Sequence, residues 1–134
     1  AFRDRLQDRH PYSLWQPEIL EDYCRYGVVP DPAGEGVQLA CRARVEANVY
    51  MGNFDTNIYP VIGKIHQPVH ILRAPGADLA APEMDFAASP TWSELWREFP
   101  NGEDCFLPDL THFIPMQDPS LVAEHITGTT QQGE

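Results

Sequence analysis

Basic charge is scarce in this sequence. Nine Lys and Arg stand against twenty Asp and Glu, which gives a formal net charge of −11 and a pI near 4.7. A surface of that sign repels the phosphates of nucleic acids and of anionic membranes, so neither is expected as a partner. The acids are scattered along the chain, as on a solvated surface, and do not gather into an acidic tail. Cysteine is scarce too. Cys24, Cys41 and Cys105 are an odd number with no close pair, which argues against a disulfide framework and against a zinc cluster. Buried free thiols in a reducing compartment are the expectation, and with them a cytoplasmic location. No apolar run approaches the roughly twenty residues of a membrane-spanning helix. No signal-peptide pattern, internal repeat or low-complexity tract is present. The chain opens in mid-pattern as "AFRDRLQDRHPYSLW", without a Met, which leads us to expect a processed or cut polypeptide.

What is present suits a packed domain. The chain has 134 residues, 43% of them hydrophobic and 10% aromatic, enough for one ordinary domain or part of a larger one. "QPEILEDYCRYGV" reads as a helix. Pro17 suits its first position, Glu18, Glu21 and Asp22 favour its positive end, and Gly27 stops it. "VVPDPAGEG" reads as a loop, "VQLAC" as a short extended piece and "ARVEANVYM" as a second helix. "NFDTNIYPVIGKI" holds room for a short helix broken or started near Pro60. The pattern then changes. "PVHILRA" is a strand by its β-branched run and its proline boundary. "SPTWSELWREF" is predicted as a helix capped by Ser89, with Trp92, Leu95, Trp96 and Phe99 as one apolar stripe. "PNGED" reads as a turn and "CFLP" as a short buried strand. Asp118 is predicted to cap a helix begun by Pro119, with Leu121, Val122 and Ile126 facing inward, and "TGTTQQGE" is a polar tail.

Residues 68–126 therefore read as strand, helix, strand, helix. Two strands joined by such a crossover lie parallel. Parallel strands need cover on both faces and neighbours at their edges, and the first 65 or so residues look mainly helical. The expectation is the end of a parallel sheet whose beginning lies elsewhere. Ligands of such sheets bind beyond the carboxyl ends of the strands. There the first strand is followed by Asp78 and the second by His112. A carboxylate that holds one imidazole nitrogen fixes the tautomer and stabilises the imidazolium, leaving the other nitrogen to take a proton from a nucleophile.

The run "PVHILRA…D", an amphipathic segment and then "FPNGEDCFLPDLTHFIPMQDPSLVAEHI" resembles the C-terminal part of the α/β-hydrolase fold. The helices before it resemble the cap of that family. The resemblance implies an α/β chain with a helical cap or lid segment at 1–65, the last two parallel strands and helices of the hydrolase core at 66–127, and a polar tail at 128–134. It implies His112 as the catalytic histidine and Asp78 as the acid, with Asp85 of "PEMDF" as the rival because "RAPGAD" has one residue more than the family's short turn. An acid on an earlier strand outside this chain is a third option. Asp109 is too near His112 in sequence to be the acid and is read as shaping the loop. The family's G-x-S-x-G elbow and its oxyanion loop are missing, since none of Ser13, Ser89, Ser93 and Ser120 has glycine neighbours at that spacing. The implied partner is an N-terminal fragment of the same hydrolase that carries the nucleophile and oxyanion hole. The implied substrate is a small apolar ester, lactone or similar carbonyl compound, with no cofactor and no metal. An aspartate nucleophile would point to epoxide or haloalkane hydrolysis, and carbon–carbon bond hydrolysis also uses this fold.

The remaining candidates have plainer readings. His112 could be a loop histidine that caps a carbonyl. His66 and His70 have the spacing of helical metal ligands, but Pro68 lies between them and His70 falls in a strand. His10 and His125 carry no motif. Cys105 and His112 could form a nucleophilic pair, against which a packed thiol is the stronger reading. Trp92 and Trp96 read as core. Trp15, Tyr23, Tyr26, Tyr50, Phe54 and Tyr59 belong to the cap-like half and could line an apolar pocket. Two other classes stay open: a ligand-binding protein on a hydrolase scaffold, and a free-standing helical interaction domain.

Overall fold

The computed structural model of the chain describes residues 2–53, 56–78, 80–82 and 85–128. Among these residues it is a mixed α/β chain with two small sheets of two strands each. The first half opens with α1 (Phe2–Leu6) and a 3-10 turn at Tyr12–Leu14. The helix α2 (Pro17–Tyr26) follows, with Pro17 in its first turn and Gly27 closing it through a bond to the Tyr23 carbonyl. Leu6, Trp15 and Leu20 form the buried cluster of this half. The Trp15 ring lies 4.9 Å from Tyr12, 5.5 Å from Tyr23 and 5.5 Å from Phe113. Phe113 belongs to the far end of the sequence, so this aromatic cluster fastens the two halves together. Gln16 strengthens the joint. Its backbone amide donates to the Met116 carbonyl at 2.9 Å, and its side-chain amide donates to the Gln117 carbonyl at 3.1 Å.

The loop expected over "VVPDPAGEG" begins as a strand. β1 (Val28–Pro30) pairs antiparallel with β2 (Val37–Leu39), Val28 opposite Leu39 and Pro30 opposite Val37. Asp31 turns the chain between them: its carboxylate accepts from the Ala33 amide at 2.9 Å, and its own amide donates to the Gly36 carbonyl at 3.0 Å. The first 65 residues are thus less purely helical than their pattern indicated. α3 (Ala43–Asn53) and α4 (Tyr59–Ile62, with Pro60 in its first turn) fall where expected. α3 is uncovered, with Val49 60% and Met51 67% exposed. Phe54 lies outside the described residues.

The second half carries the parallel pair. β3 (Val69–Arg73) and β4 (Gly102–Phe106) run parallel, with Val69 beside Gly102, Ile71 beside Asp104 and Arg73 beside Phe106. The second strand therefore starts three residues earlier than "CFLP", inside the segment expected to be a turn. Gly102 makes that start possible, because a Cβ there would stand 2.0 Å from the Trp96 carbonyl oxygen. The strand is also less buried than expected, since Phe106 is 48% exposed.

The helix expected over residues 89–99 does not form. Ser89 instead pairs with Gly76 in a parallel bridge and donates its amide to the Pro75 carbonyl at 2.8 Å. Its hydroxyl accepts from the Thr91 amide at 3.2 Å, a local turn that competes with a helix. Thr91, Trp92 and Ser93 are weak helix formers, so only a 3-10 turn at Leu95–Glu98 remains. Trp92 is 50% exposed and is not core.

After β4 come α5 (Ile114–Gln117), a single turn not read from the sequence, and α6 (Pro119–Thr127). Asp118 caps α6 as expected, its carboxylate accepting from the Leu121 amide at 2.9 Å. Leu121 and Val122 are half-buried, but Ile126 is 80% exposed and does not face inward. Gly128 ends the helix at a φ of 70°. The rest of the polar tail lies outside the described residues.

Candidate functional site

Three loops meet at the carboxyl ends of β3 and β4. The first leaves β3 at Ala74, the second is the crossover around Asp85–Pro90, and the third runs from Leu107 to Phe113. Hydrogen bonds stitch them together. Leu107 donates its amide to the Arg73 carbonyl at 2.8 Å, Ser89 donates to Pro75, and His112 donates its amide to the Ala87 carbonyl at 2.7 Å. These bonds satisfy backbone groups that a buried loop would otherwise leave unpaired, and they fix His112 against the crossover. Beneath them the Arg73 guanidinium grips Asp104 through two bonds of 2.9 Å, with side chains 16% and 19% exposed. Donating to the Asp104 carboxylate holds the Arg73 guanidinium above its ordinary pKa. The same guanidinium lies 4.5 Å from the centroid of the Phe106 ring.

The histidine loop is fixed on both sides of its ring. The Gln117 side-chain oxygen accepts from the Thr111 amide at 2.8 Å and from the Thr111 hydroxyl. The Phe113 amide donates to the Thr111 hydroxyl oxygen at 3.3 Å. Phe113 then packs into the Trp15 cluster, with its ring 6.0 Å from that of His112. His112 itself is exposed.

His112, Asp78 and Asp85 all line one open cavity of about 690 Å³. Tyr50 of α3, from the cap-like half, lines it too, and alanine and proline form most of the remaining wall. Each carboxylate is tied into its own turn: Asp78 accepts from the Ala80 amide at 2.9 Å and Asp85 from the Ala87 amide at 2.8 Å. Among the described residues, no carboxylate forms an ion pair with the His112 ring. The histidine that does meet a candidate acid is His10, whose Nε2 lies 3.5 Å from Asp85 Oδ1. Sequence spacing gave no hint of that contact, because residues 10 and 85 meet only through tertiary packing. Asp85 is therefore engaged by His10, and among the described residues no histidine forms an ion pair with Asp78.

The other candidates lie apart from the cavity. Cys105 is half-buried and approaches His125, not His112, with Sγ 3.9 Å from Nε2. The His125 ring lies 6.0 Å from His70, whose Nδ1 is 3.6 Å from Glu103. Among the described residues, no three His, Cys, Asp or Glu side chains converge so as to hold a metal ion, and no helix is long and apolar enough to cross a membrane.

No family model, curated protein or solved structure matches the chain.

Proposed function

We propose that this chain is the carboxyl-terminal part of an α/β-hydrolase and acts with a segment that carries the early strands, the nucleophile and the oxyanion hole. The observation that carries the reading is the shared cavity: His112, Asp78 and Asp85 line one concavity at the carboxyl ends of two parallel strands. The uncovered surface supports the missing segment. Val45, Val49, Tyr50 and Met51 of α3 are each more than half exposed, an apolar surface left without cover. A two-stranded parallel sheet also has too few neighbours to stand alone.

The chemistry is hydrolysis of an ester, lactone or similar small apolar carbonyl substrate. The partner's nucleophile adds to the carbonyl carbon while His112 takes its proton. The alcohol leaves with that proton, and an acyl group stays on the nucleophile. His112 next takes a proton from water, whose oxygen adds to the acyl carbon; the bond to the nucleophile then breaks, the imidazolium returns its proton to the nucleophile, and the acid leaves. Asp78 is the better orienting group, because Asp85 is engaged by His10. The cap-like half, through Tyr50, supplies a wall of the pocket and controls entry. Epoxide or carbon–carbon bond hydrolysis would need only a different nucleophile or substrate on the same frame.

A second reading is a ligand-binding protein on the same scaffold. The absence of an ion pair between His112 and a carboxylate among the described residues favours it. One experiment separates the two. The native protein is isolated with its co-purifying segment, sequenced by mass spectrometry, and assayed on a reporter ester with and without His112→Ala. A nucleophile at the elbow and a loss of at least about 1,000-fold in kcat support the enzyme. A glycine there, or turnover that ignores His112, supports the binder.

A further inference from the structure

We propose that the cavity beyond β3 and β4 takes a small organic cation, an ammonium group dressed with alkyl carbons. The inference rests on reading this cavity as the substrate site, and it replaces the wholly apolar substrate of that reading with one that carries a cationic group beside its carbonyl. Two carboxylates, Asp78 and Asp85, line the cavity, and among the described residues no lysine or arginine does. Two aromatic rings also line it, Tyr50 and Phe86, which are 65% and 77% exposed. Apolar rings left uncovered beside carboxylates suit a ligand that is both charged and greasy. The carboxylates attract the charge, the ring faces attract it through their quadrupoles, and the alanine and proline walls cover the alkyl groups. An anionic substrate would meet two like charges and, among the described residues, no lysine or arginine in the wall. A bare metal ion needs several converging donors, which the described residues do not provide. A diffuse organic cation has no such requirement.

The groups that compete for this role are histidines. His10 stands 3.5 Å from Asp85, and His112 shares the cavity.

The test compares two probes of equal shape on the native protein: choline, and its uncharged carbon isostere dimethylbutanol, each titrated by NMR at low salt. Choline binds at least about ten-fold more tightly, and the preference shrinks as salt is raised. It disappears in the double variant Asp78→Asn, Asp85→Asn. Asparagine keeps the oxygen that accepts from the Ala80 and Ala87 amides, so both turns survive the change. Phe86→Ala weakens choline several-fold without restoring the isostere. Equal affinity for the two probes, or a preference that persists in the double variant, overturns the proposal and leaves ester hydrolysis untouched. Choline binding in a protein that turns over no ester keeps the cation site and removes the hydrolase.

Discussion

Replacing Gly102 with alanine tests how closely the start of β4 approaches the crossover. An added Cβ would meet the Trp96 carbonyl oxygen at 2.0 Å, the Trp96 carbonyl carbon at 3.0 Å and Phe99 Cβ at 3.1 Å. The worst clash is with main chain, so no rotamer relieves it. Either the 3-10 turn or the strand must retreat by about 1 Å, in an interior packed as densely as an organic crystal. Overpacking of this kind costs about 1–3 kcal/mol, and a backbone clash belongs at the upper end. Gly→Ala also stiffens the unfolded chain, which restores about 0.4–1 kcal/mol. The clash wins, leaving a net loss of about 2 kcal/mol, or roughly 7 °C in Tm for a chain of this length. Thermal unfolding followed by far-UV circular dichroism reads the shift. The register Val69 beside Gly102 also aims the Leu107–Phe113 loop, so ester turnover should fall together with stability. An unchanged or raised Tm would mean that only the entropy effect operates, and would refute the close approach.

Other consequences are smaller. Asp118→Ala removes the cap of α6 and should cost about 1 kcal/mol in urea unfolding, whereas Asp118→Asn, which still caps, should cost little. Gly128 has a φ of 70°, so Gly128→Ala should lose about 1 kcal/mol through left-handed strain, and an unchanged urea midpoint would contradict that. Burial, and after it the neighbouring Tyr12 hydroxyl, push the Tyr23 hydroxyl up to about 12. The folded state then keeps a proton that the unfolded state releases near 10, so this contribution is present below about pH 10 and is lost as pH rises toward 12. Phenolate absorbance should show one tyrosine ionising late, and in Tyr23→Phe that late step should vanish.

The elements that could be read from the sequence are those whose signals are local. Pro17 with Gly27 bounds α2, the run Val69–Arg73 makes β3, and Asp118 with Pro119 opens α6. Each depends on backbone chemistry within a few residues. The parallel pairing of β3 with β4 was legible as well, because a crossover between two strands leaves few alternatives. What was hidden depends on distant contacts. Ser89 looks like a helix cap until Gly76 takes it into a bridge. "PNGED" looks like a turn until the approach of Trp96 to Gly102 and the pairing with Val69 extend it. At the cavity, strand-end logic pointed to His112 and Asp78, and the family resemblance added Asp85 as the rival acid, but the meeting of His10 with Asp85 and of Cys105 with His125 has no trace in spacing.

His112 and Asp78 act as one unit on the carbonyl, and a double-mutant cycle on kcat/KM of the native protein for an uncharged ester, which makes no use of a cation site, measures that directly. If Asp78 works only by holding the imidazole, His112→Ala and Asp78→Asn each lose most of the turnover, and the double variant is no worse than His112→Ala. Losses that multiply, or an Asp78→Asn variant with full activity, would show that the two side chains share a cavity without sharing a mechanism.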